Sequence, residues 1–395
     1  MRQTIANRLR RRYIAICLFI LVGVLGLQLS TSTLVFAAEP TATLTPIPIF
    51  LTPTPAIHSD YWPTEDWRTS SPEDQQMDSQ LLTQMLQAVT DNKINLHSLI
   101  VIRHGYIVSE TYFPPYTIKR KHEVYSVTKS FTSTLVGIAI DRGFIDSLDH
   151  PVLDFFPDKT FENVDARKKA MTLRDLVTMQ SGLDWNEEKE MGINTSDDWV
   201  AYTLNTPMRA EPGTESYYCT GCAHVVSAII QKATKTTKRD FADKVLFKPL
   251  GISDILWKVD PDGIPSGGTG LRLEPRDMAK LGYLFLHNGE WDGQTIVSAD
   301  WVKNATTTQA GANVDMATGV KLDYGYMWWT FPRLKAYLAL GFDGQLIFNI
   351  PDLDLEVVMN ASTGTRIYQD TFGLIEKYIV PAVKDMPADF LTASS

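Results

Sequence analysis

Strand-patterned segments stand near both ends of the body of this chain and helix-patterned segments fill the stretch between them. That order restricts the fold more than any single motif does. The early segment "LHSLIVIRHGYIVSETYF" (96–113) holds two apolar strand-like runs around His104-Gly105, a hairpin signal in which His104 is a turn residue rather than a ligand. From Tyr324 the strand pattern returns in "YGYMWWTF", "AYLALGF", "GQLIFNI" and "LEVVMNAS", parted by turn residues such as Pro351-Asp352. Between these sets lie "MTLRDLVTMQSGLDW" and "CAHVVSAIIQKAT", and outside them two amphipathic stretches, 77–92 and 368–383, read as helices. Two distant sets of strands form one sheet only if the ends of the body meet. The predicted class is therefore α+β, an antiparallel sheet flanked by helices with an inserted all-helical subdomain, and the cleft between the two parts is the natural site.

The stretch "HEVYSVTKSFTSTLVGIAIDRGF" (122–144) sits where strands give way to helices. Phe131, Leu135 and Ile138 recur on one helical face, and Val127, Val136, Ala139 and Ile140 widen it until the helix is nearly all apolar, hence buried. Arg142 and Gly143 close it. Ser126 can be read as the helix cap. It also stands three residues before Lys129, so the two side chains are neighbours on the first turn. A serine becomes a nucleophile when a base takes its proton, and a lysine is such a base in its neutral form, which burial and the positive end of a helix both favour.

The chain has 395 residues, 44% of them apolar, enough for one large domain or two closely packed ones. Its first 38 residues contain five Arg and no acid, which leaves 32 cations against 46 acids in the rest, an acidic body with no electrostatic footprint for nucleic acid. A basic start, an apolar run from Ile14 to Leu29 and the small residues Ala37 and Ala38 give residues 1–38 the pattern of a secretory signal peptide, or of an uncleaved membrane anchor. Either reading exports the body, to be secreted or held at the cell surface. Residues 39–75 are expected to be a Thr/Pro-rich linker and residues 76–388 the folded domain.

With Ser126-Val127-Thr128-Lys129 at a buried helix start, Tyr218-Cys219-Thr220 just before another apolar helix, and Phe342-Asp343-Gly344 between two strands, the body resembles the serine beta-lactamase and penicillin-binding-protein superfamily. It looks closest to the esterase and 6-aminohexanoate-dimer-hydrolase-like branch, over roughly residues 75–385. The resemblance implies Ser126 as nucleophile, Lys129 and Tyr218 as the proton-handling pair, and an oxyanion hole from the backbone N–H groups of Ser126 and Gln345, with Gly341 and Gly344 allowing close backbone approach. Thr220 departs from the family's Asn or Ser, and Phe342 replaces a Lys or His that would hold a substrate carboxylate. The implied activity is acyl-enzyme hydrolysis of a neutral ester or amide, without cofactor or metal. The alternative is a penicillin-binding or D-Ala-D-Ala peptidase-like protein acting on peptidoglycan-like material or binding beta-lactams with slow turnover. Should a substrate carboxylate be bound despite Phe342, Arg366 is the first candidate for the cation that holds it.

The remaining candidates are weaker. Cys219 and Cys222 are the only cysteines of the body, and their spacing leaves open a disulfide, two free thiols, or a metal or redox pair for which only His224 is at hand. His224 reads first as a packed polar residue. Trp328 and Trp329 read as adjacent strand positions facing opposite sides, mainly core. "SGGTGLRLEPRD" (266–277) lacks a phosphate-loop ending and reads as a cleft edge where backbone approaches the site.

Overall fold

The computed structural model describes residues 61–187, 192–315, 321–364, 368–388 and 390. Residues 1–60, which hold the expected signal or anchor, and Arg366 lie outside them. Among the described residues no helix is long and apolar enough to cross a membrane.

The ends of the body do meet. Eight antiparallel strands form the main sheet: β1 (Leu96–Arg103), β2 (Tyr106–Tyr112), β3 (Ala310–Asp315), β4 (Lys321–Tyr324), β5 (Trp329–Phe331), β6 (Ala336–Gly341), β7 (Gln345–Ile350) and β8 (Leu355–Ala361). Their order is β2-β1-β8-β7-β6-β5-β4-β3, so the first strand pairs with the last, Val101 opposite Val357. The β1–β2 hairpin turns at His104 and Gly105, both with positive φ (51° and 74°), the backbone that a tight two-residue hairpin needs. "YGYMWWTF" is not one strand. It breaks between Tyr324 and Trp329 because Gly325 sits where a Cβ would lie 2.0 Å from the Ala305 carbonyl and Met327 takes a left-handed conformation (φ 57°).

Helix α1 (Ser79–Asp91) starts on an Asp78 side chain that accepts from the N–H groups of Gln80 and Leu81. Helix α2 (Val127–Asp141) is the buried one, with no residue exposed from Val127 to Ala139. Its hydroxyls are satisfied rather than stranded: Ser130 donates to the Met327 carbonyl (2.8 Å), and Thr132 donates to the Gly267 carbonyl (2.8 Å). Helix α3 (Thr220–Thr234) lies in the middle region between the two sets of strands. Helix α4 (Pro275–Leu286) lies on the sheet, where Asn349 Nδ2 donates to the Gly282 carbonyl (2.8 Å).

Residues 61–75 do not behave as the linker that composition suggests. Trp62 packs edge-on to Tyr283 and His287, Trp67 is buried against Tyr283, and Ser70 N–H donates to the Ile107 carbonyl (3.1 Å). Two indole rings bury enough apolar area to hold a segment that has no period of its own.

One buried carboxyl sets a pH dependence. Glu356, on β8, is wholly buried under Gly282, neither carboxyl oxygen has a hydrogen-bond partner, and burial followed by the nearby Asp354 pushes its acid well above the usual carboxylate range. A folded-state value raised this way contributes stability below the unfolded value of about 4.5 and loses it as pH rises, at roughly 1.4 kcal/mol per unit. Glu356→Gln removes the titration. Its melting temperature relative to wild type should therefore climb between pH 5 and pH 8, and a difference that stays constant over that range would contradict the account.

Candidate active site

Ser126 is not a helix cap. Its φ and ψ are already helical (−69°, −9°) and its hydroxyl makes no capping bond. The preceding segment explains this. His122–Glu123 pairs with Leu271–Leu273, and Val124 N–H donates to the Leu271 carbonyl (2.9 Å), which pins an extended segment right up to the helix. Tyr125 then takes a left-handed conformation (φ 46°), and this single residue turns the strand into the helix. Ser126 stands partly exposed at that corner, while Lys129, one turn on, is 1% exposed.

Lys129 Nζ has three oxygen neighbours at 3.0 Å: Ser126 Oγ, Thr220 Oγ1 and the Gly268 carbonyl. The glycine-rich loop is thus the cleft edge that the sequence suggested. Gly267 and Gly268 have no room for side chains, since a Cβ would lie 1.8 Å from the Ala223 carbonyl in one case and 2.8 Å from Thr220 Cγ2 in the other. Behind the loop, the buried Lys238 donates to Thr132 Oγ1 (2.9 Å), the hydroxyl that holds Gly267. Burial pushes the Lys238 amine well below the usual lysine range.

Tyr218 arrives from the loop before α3. It presents its ring, not its hydroxyl: Lys129 Nζ lies 4.6 Å from the ring centroid, and no hydrogen bond joins the Tyr218 hydroxyl to Ser126 or Lys129. Trp329 stacks on that ring (5.7 Å, 17°), so it supports the site, whereas Trp328 lies outside the strand and packs on Phe285 and Tyr337. Thr220, expected only as a weakened counterpart of an amide, makes a direct bond to Lys129 and another to Glu187. Glu187 is exposed on a loop with no periodic pattern to mark it.

The third motif closes the opposite wall. Phe342, Asp343 and Gly344 form the turn between β6 and β7, with positive φ at Asp343 (67°) and Gly344 (100°). Asp343 Oδ1 accepts the Gly364 N–H (2.6 Å). Phe342 is 49% exposed and meets Tyr125 edge-on (5.5 Å), which puts an aromatic rim at the mouth beside Ser126. Gln345 is anchored through its side chain: Nε2 donates to the Ala361 carbonyl (2.8 Å) and Oε1 accepts from Asn360 (2.9 Å). Gly341 brings β6 against the corner, since a Cβ there would lie 2.3 Å from the Val124 carbonyl and 3.3 Å from Ser126 N.

Cys219 and Cys222 are joined as a disulfide, both buried. His224 is a packed polar residue whose Nε2 lies 2.9 Å from Asp260 Oδ2, and burial holds its imidazole below the ordinary value although Asp260 pulls the other way. His104 sits in the hairpin turn, and its Nδ1 lies 3.2 Å from Gln75 Oε1 of the preceding segment.

The arrangement is one in which a buried lysine can take the proton of a reachable serine beside a cleft. The chain is similar to proteins whose names carry an activity. A 6-aminohexanoate-dimer hydrolase from Paenarthrobacter ureafaciens is 24% identical over 290 residues, which is 67% of this chain and 72% of that one. Among solved structures, EstCE1, a hydrolase with promiscuous acyltransferase activity, matches with a TM-score of 0.65 at 16% identity over 80% of this chain and all of its own. A family VIII carboxylesterase matches with a TM-score of 0.59 at 16% identity over 78% of this chain and 98% of its own. These structural likenesses show the fold. The sequence profile described as beta-lactamase matches residues 81–373, about three quarters of the sequence and every residue of the site just described, and on that match the chain belongs to the beta-lactamase family.

Proposed function

We propose that this protein is an exported serine hydrolase that cleaves neutral esters or amides through an acyl-enzyme on Ser126. The observation that carries the reading is the 3.0 Å approach of the buried Lys129 Nζ to Ser126 Oγ at the mouth of α2. Neutral Lys129 takes the hydroxyl proton as Ser126 Oγ attacks the carbonyl carbon. The oxyanion is met by the N–H of Ser126 at the head of α2 and the N–H of Gln345 at the start of β7. Lys129 returns its proton to the leaving group; the freed amine then takes a proton from the water that attacks the acyl-enzyme and passes it to Ser126 Oγ as the acid departs. Tyr218 contributes its ring face beside the lysine, a cation–π contact in the protonated stage. The names of the relatives, an amide-dimer hydrolase and a carboxylesterase, support the substrate class. Export is supported by the basic and apolar start of the sequence and by a disulfide that fits an oxidising compartment.

Phe342 favours a neutral ester over a beta-lactam in this reading, because an exposed neutral ring stands where the family's third motif, by resemblance, has a Lys or His. A short-chain aryl ester should be hydrolysed far faster than a chromogenic beta-lactam. Phe342→Lys should raise the preference for carboxylate-bearing substrates by roughly ten- to a hundredfold in kcat/KM, the worth of one charge-assisted hydrogen bond. A wild type that turns over the beta-lactam as fast as its best ester would sink the substrate assignment, and one that is acylated by it without turnover would point to a penicillin-binding protein.

A further inference from the structure

Lys129 can act on Ser126 only if its lone pair, rather than one of its hydrogens, faces Ser126 Oγ, and the neighbours of Lys129 determine which it is. The Gly268 carbonyl can only accept. Thr220 Oγ1 can donate or accept, and by itself it would leave the direction open. It lies 2.9 Å from Glu187 Oε2, while Glu187 Oε1 accepts from Thr220 N–H (3.2 Å) and Trp185 Nε1 (3.0 Å). A carboxylate can only accept, so the one hydroxyl hydrogen of Thr220 goes to Glu187, and its oxygen is left to accept from Lys129. A neutral amine has two hydrogens. With Thr220 and Gly268 both accepting at 3.0 Å, both are used, and the lone pair of the tetrahedral nitrogen is directed at the third neighbour, Ser126 Oγ.

We propose that Glu187 is a positioning residue: through Thr220 it fixes the direction of the hydrogen bonds at Lys129 and so aims the amine lone pair at Ser126. The proposal rests on Ser126 as nucleophile and Lys129 as base. It accounts for the hydroxyl at position 220, because an amide carries its own fixed acceptor whereas a hydroxyl takes its polarity from a partner. Release of Thr220 lets its hydrogen swing to the lysine lone pair and compete with Ser126.

The test is a double-mutant cycle on Glu187 and Thr220 in the full chain, with a short-chain aryl ester as substrate and Ser126→Ala measured alongside. Glu187→Ala should lower kcat by about ten- to fiftyfold with KM within twofold. Thr220→Val should do the same, Thr220→Ser should retain most of the activity, and Glu187→Ala added to Thr220→Val should cost little more. Equal losses from Glu187→Ala in the Thr and Val backgrounds would reduce Glu187 to a structural brace for Trp185 and the α3 start, and the proposal would be wrong. It would be wrong as well if turnover were lost in Ser126→Ala but unchanged in Glu187→Ala. Turnover that persists in Ser126→Ala would overturn the nucleophile reading and this proposal with it.

Discussion

Ser126→Ala is expected to lower ester turnover by roughly 10³-fold or more and to abolish labelling by a fluorophosphonate, with almost no change in melting temperature. The combination follows from the corner at the head of α2. Helix-capping serines stabilise by about 1 kcal/mol, and their loss is seen in stability. Ser126 makes no capping bond, because Tyr125 has already turned the chain and the hydroxyl faces Lys129 instead. Lys129 keeps Thr220 and Gly268 as acceptors when Ser126 Oγ is removed, so no buried donor is stranded. A mutant that melts several degrees lower would show the hydroxyl to be structural, and one that still reacts with the probe would move the nucleophile elsewhere.

Gly341→Ala should cost about 10²–10³-fold in kcat, the scale of losing one oxyanion donor, from a change of one methyl group outside the proposed nucleophile Ser126 and its base Lys129. The φ of Gly341 is −117°, ordinary extended backbone, so alanine brings no dihedral penalty. All of the effect comes from the new Cβ, 2.3 Å from the Val124 carbonyl and 3.3 Å from Ser126 N. Relief requires the strand–helix corner and the end of β6 to part, which carries the Ser126 and Gln345 N–H groups away from the point they share in the proposed mechanism. KM for a small ester should change little, since the aromatic rim of Tyr125 and Phe342 is kept. Steady-state kinetics check this, and a kcat within threefold of wild type would remove Gly341 from the account.

This is a serine hydrolase of the beta-lactamase fold, and the parts that were legible in its sequence are those with a period or a fixed spacing. The hairpin at His104-Gly105, the buried α2, the strands after Ala336 and the α3 start all rest on local patterns, and the pairing of β1 with β8 followed from having strands at both ends. What sequence did not yield is carried by single contacts across the fold. Glu187 is one exposed carboxylate on a loop, and it matters because Thr220, 33 residues away, brings a hydroxyl to it. Trp62 and Trp67 lie in polar, Pro-containing sequence and find their partners on α4 more than two hundred residues later. The strand run from Tyr324 to Phe331 failed for a steric reason that no alternation reveals, the Ala305 carbonyl lying against Gly325.

The disulfide can be weighed in terms of entropy and position. Cys219 and Cys222 close a ring of only four residues, and in the chain-entropy picture so short a loop restrains the unfolded chain by about 2 kcal/mol, less than a long crosslink would. Its larger effect is local. The ring contains Thr220 and begins one residue after Tyr218, and it spans the first turn of α3, the part of a helix that frays most readily. Misplacing a catalytic group by an ångström can cost a hundredfold in rate. The covalent ring therefore serves positional accuracy more than fold stability: it holds the hydroxyl that touches Lys129 in register with a lysine presented by a different helix.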